Sequence, residues 1–162
     1  MSITSRSEYG LRAMILLAEQ LGDELLSAAE ISRREHIPVK YLEQLLAELR
    51  KADLIVSHAG AKGGYRLARS ARSITVGEVV HVLDGPMAPM SCVEEPPTFD
   101  CARELRCRLR PLWHTLRVAV SEILDGTTLD QLAYQPSLLS APSARGQEPV
   151  DPSPKQGRMY HI

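Results

Sequence analysis

"SAAEISRREHIPVKYLEQLLAELRKADLI", residues 27 to 55, holds two short helical patterns separated by a break. Ser27 is followed three residues later by Glu30, a capping-box pair that takes up backbone donors left unpaired at a helix start. Ile37-Pro38 interrupts this first helix, because proline disfavours helical geometry in the residue before it. From about Val39 to Ala52 a second pattern places Leu42, Leu45, Leu46 and Leu49 on one face. Two short helices joined by a tight break, the second polar on its outer side, make the pattern of a helix-turn-helix, whose second helix enters the DNA major groove. That outer face is expected to carry Lys40, Tyr41, Glu43, Gln44, Glu48 and Lys51. The N-terminal end of such a helix meets the bases, so Lys40, Tyr41 and Gln44 lead the candidates for DNA contact, with Arg33, Glu43 and Arg50 beside them.

Downstream, LIVSHAGAKGGYRLARS, residues 54 to 70, predicts two short strands joined by a glycine-containing loop. A hairpin in this place is a wing. Its Lys62, Arg66 and Arg69 are suited to phosphates or an adjacent minor groove, and Gly63 and Tyr65 complete the wing's candidate DNA-contact set. Upstream, Leu11, Met14, Ile15, Ala18 and Leu21 recur at helical intervals through residues 4 to 21. Beyond the wing, Thr75 and Glu78 form a second capping box at the start of VGEVVHVL, which Gly85-Pro86 ends.

Leu109, Leu112, Leu116, Val120, Ile123 and Leu124 form a long apolar stripe, with Pro111 suited to its first turn. A winged domain already has its own small core, so this helix is most simply buried against its copy in a homodimer. Thr128 opens a short final turn, TLDQLAY. From Pro136 the chain is rich in Pro, Ser and Gly without periodicity, the composition of a disordered tail. The expected organisation is a winged helix-turn-helix domain over residues 1–85, a cysteine-bearing loop over 86–108, a dimerisation helix and short terminal turn over 109–135, and a tail over 136–162.

Composition agrees with a mainly α fold. The 162 residues are 44% hydrophobic but only 4% aromatic, so one core must be built mostly from Leu, Ile, Val and Ala. Neither a secretory leader pattern nor a run of roughly 20 apolar residues is present, and a cytoplasmic protein without membrane partners is expected. The net charge of -1 conceals segregation: nine Lys or Arg against four Asp or Glu between Arg33 and Arg72, then five against nine between Thr75 and Gln135. A basic segment centred on the helix-turn-helix points to a polyanion.

All three cysteines, Cys92, Cys101 and Cys107, lie in SCVEEPPTFDCARELRC, residues 91 to 107. The spacing is neither that of a redox C-x-x-C pair nor that of a zinc ribbon. In a reducing compartment clustered thiols are metal ligands or redox groups before they are structural bridges. A zinc site of three cysteines and a histidine is one such chemistry. A metal-cluster carrier is another, although a carrier needs no recognition helix. A thiol enzyme pairing Cys107 with His114 lacks an oxyanion-stabilising loop and a third orienting group, so the chain is not expected to be an enzyme.

EYGLRAMILLA, ISRREHIPVKYLEQLLAELRKADLI, AKGGYRLARSARSITVGEVVHVLDG and the cysteines after them resemble the IscR/NsrR-type (Rrf-two) family of bacterial transcription regulators. The resemblance covers about residues 1 to 135, and the ordered occurrence of YLEQLL, GGYRLA and ITVGEV is far more specific than a lone helix-turn-helix. It implies a homodimeric winged helix-turn-helix regulator, a repressor in the first instance, that binds double-stranded DNA at a palindromic operator. Cluster-bearing members hold an iron-sulfur cluster on three cysteines, and its gain or loss changes DNA binding in response to redox state, nitric oxide or iron supply. The resemblance therefore implies Cys92, Cys101 and Cys107 as ligands of a 2Fe-2S or 4Fe-4S cluster.

Several positions depart from the family pattern. Eight residues, Val93 to Asp100, separate the first two cysteines, more than members commonly have. Arg110 stands where the IscR branch places a histidine ligand, and Ala59 where the wing often carries a basic residue, leaving Lys62 or His58 to that role. With the histidine absent, the candidates for a fourth ligand are Glu8, His114, Asp100 and Glu104. In NsrR-type members an aspartate at the position matching Glu8 completes the cluster from the other subunit, which makes Glu8 the implied choice.

Overall fold

The computed structural model describes residues 3–20, 24–60, 62–95, 101 and 106–134. Leu21, Asp100, Glu104 and the expected 136–162 tail lie outside them.

The first helix, α1 (Ser5–Ala18), starts where Thr4 accepts a hydrogen bond from the Arg6 backbone N–H. It is the central element, touched by four of the other helices and by one strand. That is why its burial is broader than a single stripe: Ala13, Leu16 and Leu17 are buried together with Met14 and Ala18, while Leu11 and Ile15 sit half-buried at the margin.

Helix α2 (Ala28–Glu35) is capped by Ser27, whose Oγ accepts from the Glu30 N–H at 3.2 Å. Only half of the expected capping box forms, because the Glu30 carboxylate pairs with Arg34 one turn on. His36 ends the helix in the left-handed conformation at φ 55°, and Ser32 Oγ donates to the Ile37 carbonyl at 2.6 Å, holding the turn closed. Helix α3 (Val39–Lys51) follows at once, with the Pro38 carbonyl accepting from the Tyr41 and Leu42 N–H groups. No side chain caps α3. Its anchorage is instead Leu42, Leu45, Leu46 and Leu49, all fully buried, each stabilising the fold by about 1.5–3 kcal/mol in transfer terms. Asp53, at φ 55°, reverses the chain after α3, and the Leu54 N–H returns to the Leu49 carbonyl at 3.0 Å.

Strands β1 (Ile55–His58) and β2 (Gly64–Leu67) pair antiparallel, Ile55 opposite Leu67 and His58 opposite Gly64. The far side of β2 is also bonded, since Tyr65 and Leu26 exchange backbone hydrogen bonds of 2.8 and 3.1 Å. The approach is so close that a Cβ at position 64 would lie 2.6 Å from the Leu26 carbonyl oxygen, which explains a glycine there.

A 3-10 turn (Ala71–Ser73) leads into α4 (Val76–Asp84), whose Thr75–Glu78 capping box is complete. After the cysteine-bearing segment, α5 (Arg110–Gly126) begins with Pro111 in its first turn, as expected. None of its seventeen residues is buried, and Leu109, Leu112, Leu116 and Ile123 are 56, 56, 38 and 54% exposed. At its far end the chain folds back on α4: Val76 N–H donates to the Thr127 carbonyl at 2.8 Å and Leu129 N–H to the Ile74 carbonyl at 3.0 Å. The last helix, α6 (Leu129–Tyr134), opens with a reciprocal Thr128–Gln131 cap and inserts Leu129 into the core against α1. It packs as part of the winged domain rather than as an appendage of α5. Among the described residues no helix is long and apolar enough to cross a membrane.

Candidate nucleic-acid interface and cysteine segment

On α3, Lys40, Glu43, Gln44, Arg50 and Lys51 are exposed, and Arg33 is exposed in the last turn of α2. Arg50 also donates to Ser57 Oγ at 3.2 Å, joining the end of α3 to β1. Two residues expected on the outer face turn elsewhere. Tyr41 is half-buried and meets Tyr9 of α1 edge to face, with ring centroids 6.0 Å apart. Its phenol contributes to packing, an arrangement aromatic pairs favour. Glu48 is half-buried and bound by Arg6, whose Nη2 donates to both carboxylate oxygens at 2.8 and 2.6 Å.

In the wing, His58, Ala59 and Lys62 are exposed, and Gly63 and Arg66 are half-buried. Tyr65 packs against the core and occupies the opposite face of β2 from Arg66, which pairs across the hairpin with Val56. Arg69 is not a wing cation: it donates to the Ser73 carbonyl and to Glu78, tying the segment after β2 to the first turn of α4.

Arg6 and Arg12, outside the helix-turn-helix segment, also bear on this surface. Arg12 Nε donates to Glu35 Oε2 at 3.0 Å, its Nη2 donates to the Glu35 carbonyl, and its guanidinium lies over the Tyr9 ring at 5.7 Å. Glu8 is exposed on the first turn of α1 and stands 3.8 Å from Arg12. The four-residue spacing of Glu8 and Arg12 was a signal that could have found this contact.

Near Arg6, Thr4 donates through its N–H and its hydroxyl to Asp84, at 2.9 and 2.6 Å. Burial pushes the Asp84 carboxyl up, but hydrogen bonds from the Ser7 and Thr4 hydroxyls and the Thr4 N–H, with the Arg6 charge, outweigh it and hold the group below its ordinary value. Among the described residues Ser7 Oγ has no hydrogen-bond partner of standard geometry, so the Thr4 bonds are the firmer cause. The Glu48 carboxylate in turn raises the Arg6 pKa through its hydrogen bond, with burial acting in the opposite direction.

The cysteine segment leaves α4 through Gly85. Cys92 lies in a 3-10 turn (Ser91–Val93) that was not expected, anchored by buried Val93 and packed on α5. Glu95 extends this anchorage, accepting from Arg117 of α5 at 2.9 Å. Cys101 stands between undescribed residues, and Cys107 precedes α5. All three thiols are free and half-buried. Their chemistry suits an iron-sulfur cluster, which is held by cysteine thiolates. Among the described residues no three His, Cys, Asp or Glu side chains group closely enough to hold a metal ion, and neither Glu8 nor exposed His114 joins the thiols in such a group.

A helix-turn-helix with a polar recognition face, followed by a hairpin, defines a winged helix-turn-helix DNA-binding regulator. A family model described as Rrf2, an iron-dependent transcriptional regulator, matches residues 3–135. The chain belongs to the Rrf2 family of transcriptional regulators, and its relatives are regulators rather than enzymes. It is 41% identical over 138 residues to Protein rrf2 of Nitratidesulfovibrio vulgaris, covering 85% of this chain and 91% of that one. Among solved structures it resembles CymR, the global cysteine regulator of B. subtilis, at a TM-score of 0.71 and 37% identity, covering 82% of this chain and 96% of that one. It also resembles T. potens IscR, at 0.66 and 34%, covering 87% and 93%.

Proposed function

We propose that this regulator is a homodimeric repressor that binds a palindromic operator, and that the state of Cys92, Cys101 and Cys107 sets its affinity. The observation that carries this reading is the confinement of three free thiols to the single segment joining α4 to α5. Lys40, Gln44 and Glu43 on the exposed start of α3 meet base edges, with Arg33, Arg50, Lys62, Gly63 and Arg66 on or beside the backbone. Tyr41 and Tyr65 support this surface from behind. The exposed leucines of α5 pack against the same helix of a second copy.

Cys92, Cys101 and Cys107 would hold an iron-sulfur cluster, and Glu8 of the second copy would complete the set with an oxygen donor. When bound, the cluster supplies an iron site responsive to oxidants, nitric oxide or iron supply. Glu8 is held 3.8 Å from Arg12, which grips α2 through Glu35. Movement of Glu8 therefore reaches the helix-turn-helix through charged contacts. A second reading, a thiol-based switch of the same fold, is favoured by the ungrouped, half-buried thiols and by the likeness to CymR.

The full chain, purified without oxygen, should contain iron and acid-labile sulfide, and its absorption and Mössbauer spectra should change on Glu8→Ala but not on His114→Ala. A change confined to His114→Ala would move the fourth ligand to the histidine. Iron-free protein whose DNA binding responds only to thiol oxidation would establish the second reading in place of the cluster, and stoichiometric zinc would make the segment a zinc site.

A further inference from the structure

We infer that Arg6 is a positioning residue for sequence recognition: it fixes the rotation of α3 relative to the end of α4, from which the cysteine segment departs. The inference deepens, and rests on, the DNA-binding reading of α3 given above.

The beginning of α1 and the end of α4 form one body. Leu83 seats on Gly10 so closely that a Cβ at position 10 would lie 2.1 Å from Leu83 Cδ1. Beside this contact, Thr4 clamps Asp84, the last residue of α4, with two hydrogen bonds. Helix α3 meets this body through a leucine face. Apolar burial sets the depth of a helix but is non-directional, so it resists rotation about the helix axis only through shape.

Arg6 adds the direction. Its Nε donates to the Leu83 carbonyl at 2.9 Å, and its Nη2 donates to both oxygens of Glu48 on α3. One planar fork thus spans the last turn of α4 and the recognition helix, a geometry that the single ammonium of lysine does not reproduce. Glu48 stands one helical turn beyond Gln44, so holding its carboxylate holds the azimuth at which Gln44 and Lys40 are presented. A displacement of the α4 terminus that carries the cysteine segment is passed by the same fork to α3. The Arg6 and Glu48 side chains are 35 and 37% exposed, and ion pairs of that exposure contribute little to stability, so the variants are expected to fold.

The test uses the full chain carrying Arg6→Gln, Arg6→Lys or Glu48→Gln. The probes are a duplex selected by the wild-type protein from a random-sequence pool and a scrambled duplex of equal length. In reduced, metal-free protein, each variant should lose about tenfold or more of its discrimination between the two duplexes. The salt dependence of binding and the melting temperature should stay near wild type, because phosphate contacts and the core are untouched. A general folding defect would instead lower both duplex affinities and the melting temperature together. Wild-type discrimination in Glu48→Gln and Arg6→Gln would overturn the inference. This comparison needs no cluster: failure of the wild-type protein to respond to its cysteine state would count against the proposed switch alone, and failure to select any duplex would count against the DNA-binding surface and the Arg6 role together.

Discussion

Tyr134, the last residue of α6, donates its hydroxyl to the carbonyl of Ala18, the last residue of α1, at 2.8 Å. Together with buried Leu129 it brings the end of the described chain back to the first helix. Tyr134→Phe is expected to lower unfolding free energy by about 0.5–1.5 kcal/mol, and Leu129→Ala by about 2–5 kcal/mol. Urea titration of the two variants checks this, and equal, negligible losses would show that α6 is not part of the cooperative unit.

Gln44→Ala should weaken specific operator binding by about 1–3 kcal/mol where a bidentate base contact is lost, and Lys40→Ala should do the same or reduce the salt slope, according to whether it meets a base or a phosphate. Arg69→Ala should leave operator affinity unchanged while loosening the contact with Glu78. Fluorescence anisotropy across a salt series separates these outcomes. A large DNA-binding defect in Arg69→Ala alone would mean that the basic segment is used differently.

Leu112→Asp places a charge in the exposed stripe of α5 without touching the core of a single chain. The variant should sediment as a folded monomer and bind the full operator much more weakly than wild type. Unchanged mass in sedimentation equilibrium would remove α5 from the dimer interface.

The acid limb of stability should report on Asp84. Its carboxyl titrates below the usual value of 3.8 in the folded chain, so the unfolded chain takes up its proton first as pH falls. The stabilisation is present in full above the unfolded-state value and is lost as pH drops through the lower folded-state value. Asp84→Asn should therefore be less stable than wild type near neutrality, with the gap narrowing below about pH 4. A gap that stays constant from about pH 7 to pH 2.5 would contradict the assignment.

The helix-turn-helix was legible because its determinants are local. The Ser27 cap, the break at Ile37-Pro38 and the leucines of α3 each act through residues close by in sequence, and the Thr75 cap makes α4 readable in the same way. Tyr41 was misplaced for the opposite reason: period alone puts it at the edge of the polar face, and Tyr9 on another helix decides which way it turns. The same holds for Glu48, whose partner Arg6 is 42 residues away in sequence, and for Arg69, drawn off the wing by Glu78. Asp53 in a left-handed turn and Cys92 in a 3-10 turn carry no glycine or proline to announce them. The cysteine set was readable as chemistry, since residue type and proximity suffice for that. Its geometry was not, because that depends on the path of the chain between the three positions.

Helix α5 is bonded to the start of α4 at its C-terminal end and, nearer its middle, to the cysteine segment, where Arg117 donates to Glu95 and the 3-10 turn of Cys92 packs against it. Thr127 and Leu129 bind it to the start of α4, while Arg110 at the other end connects directly to the cysteine segment. Such a beam magnifies angle into distance. At about 1.5 Å per residue it is roughly 25 Å long, and a tilt of about 5° about its Thr127 end would carry Leu109 and Leu112 through about 2 Å. In the proposed dimer that is enough to take the leucines of α5 out of register with those of a second copy. In the proposed dimer, a rearrangement of the cysteine segment large enough to tilt α5 would reach the spacing between two recognition helices, with the loss of fit concentrated at the end of α5 nearest the thiols.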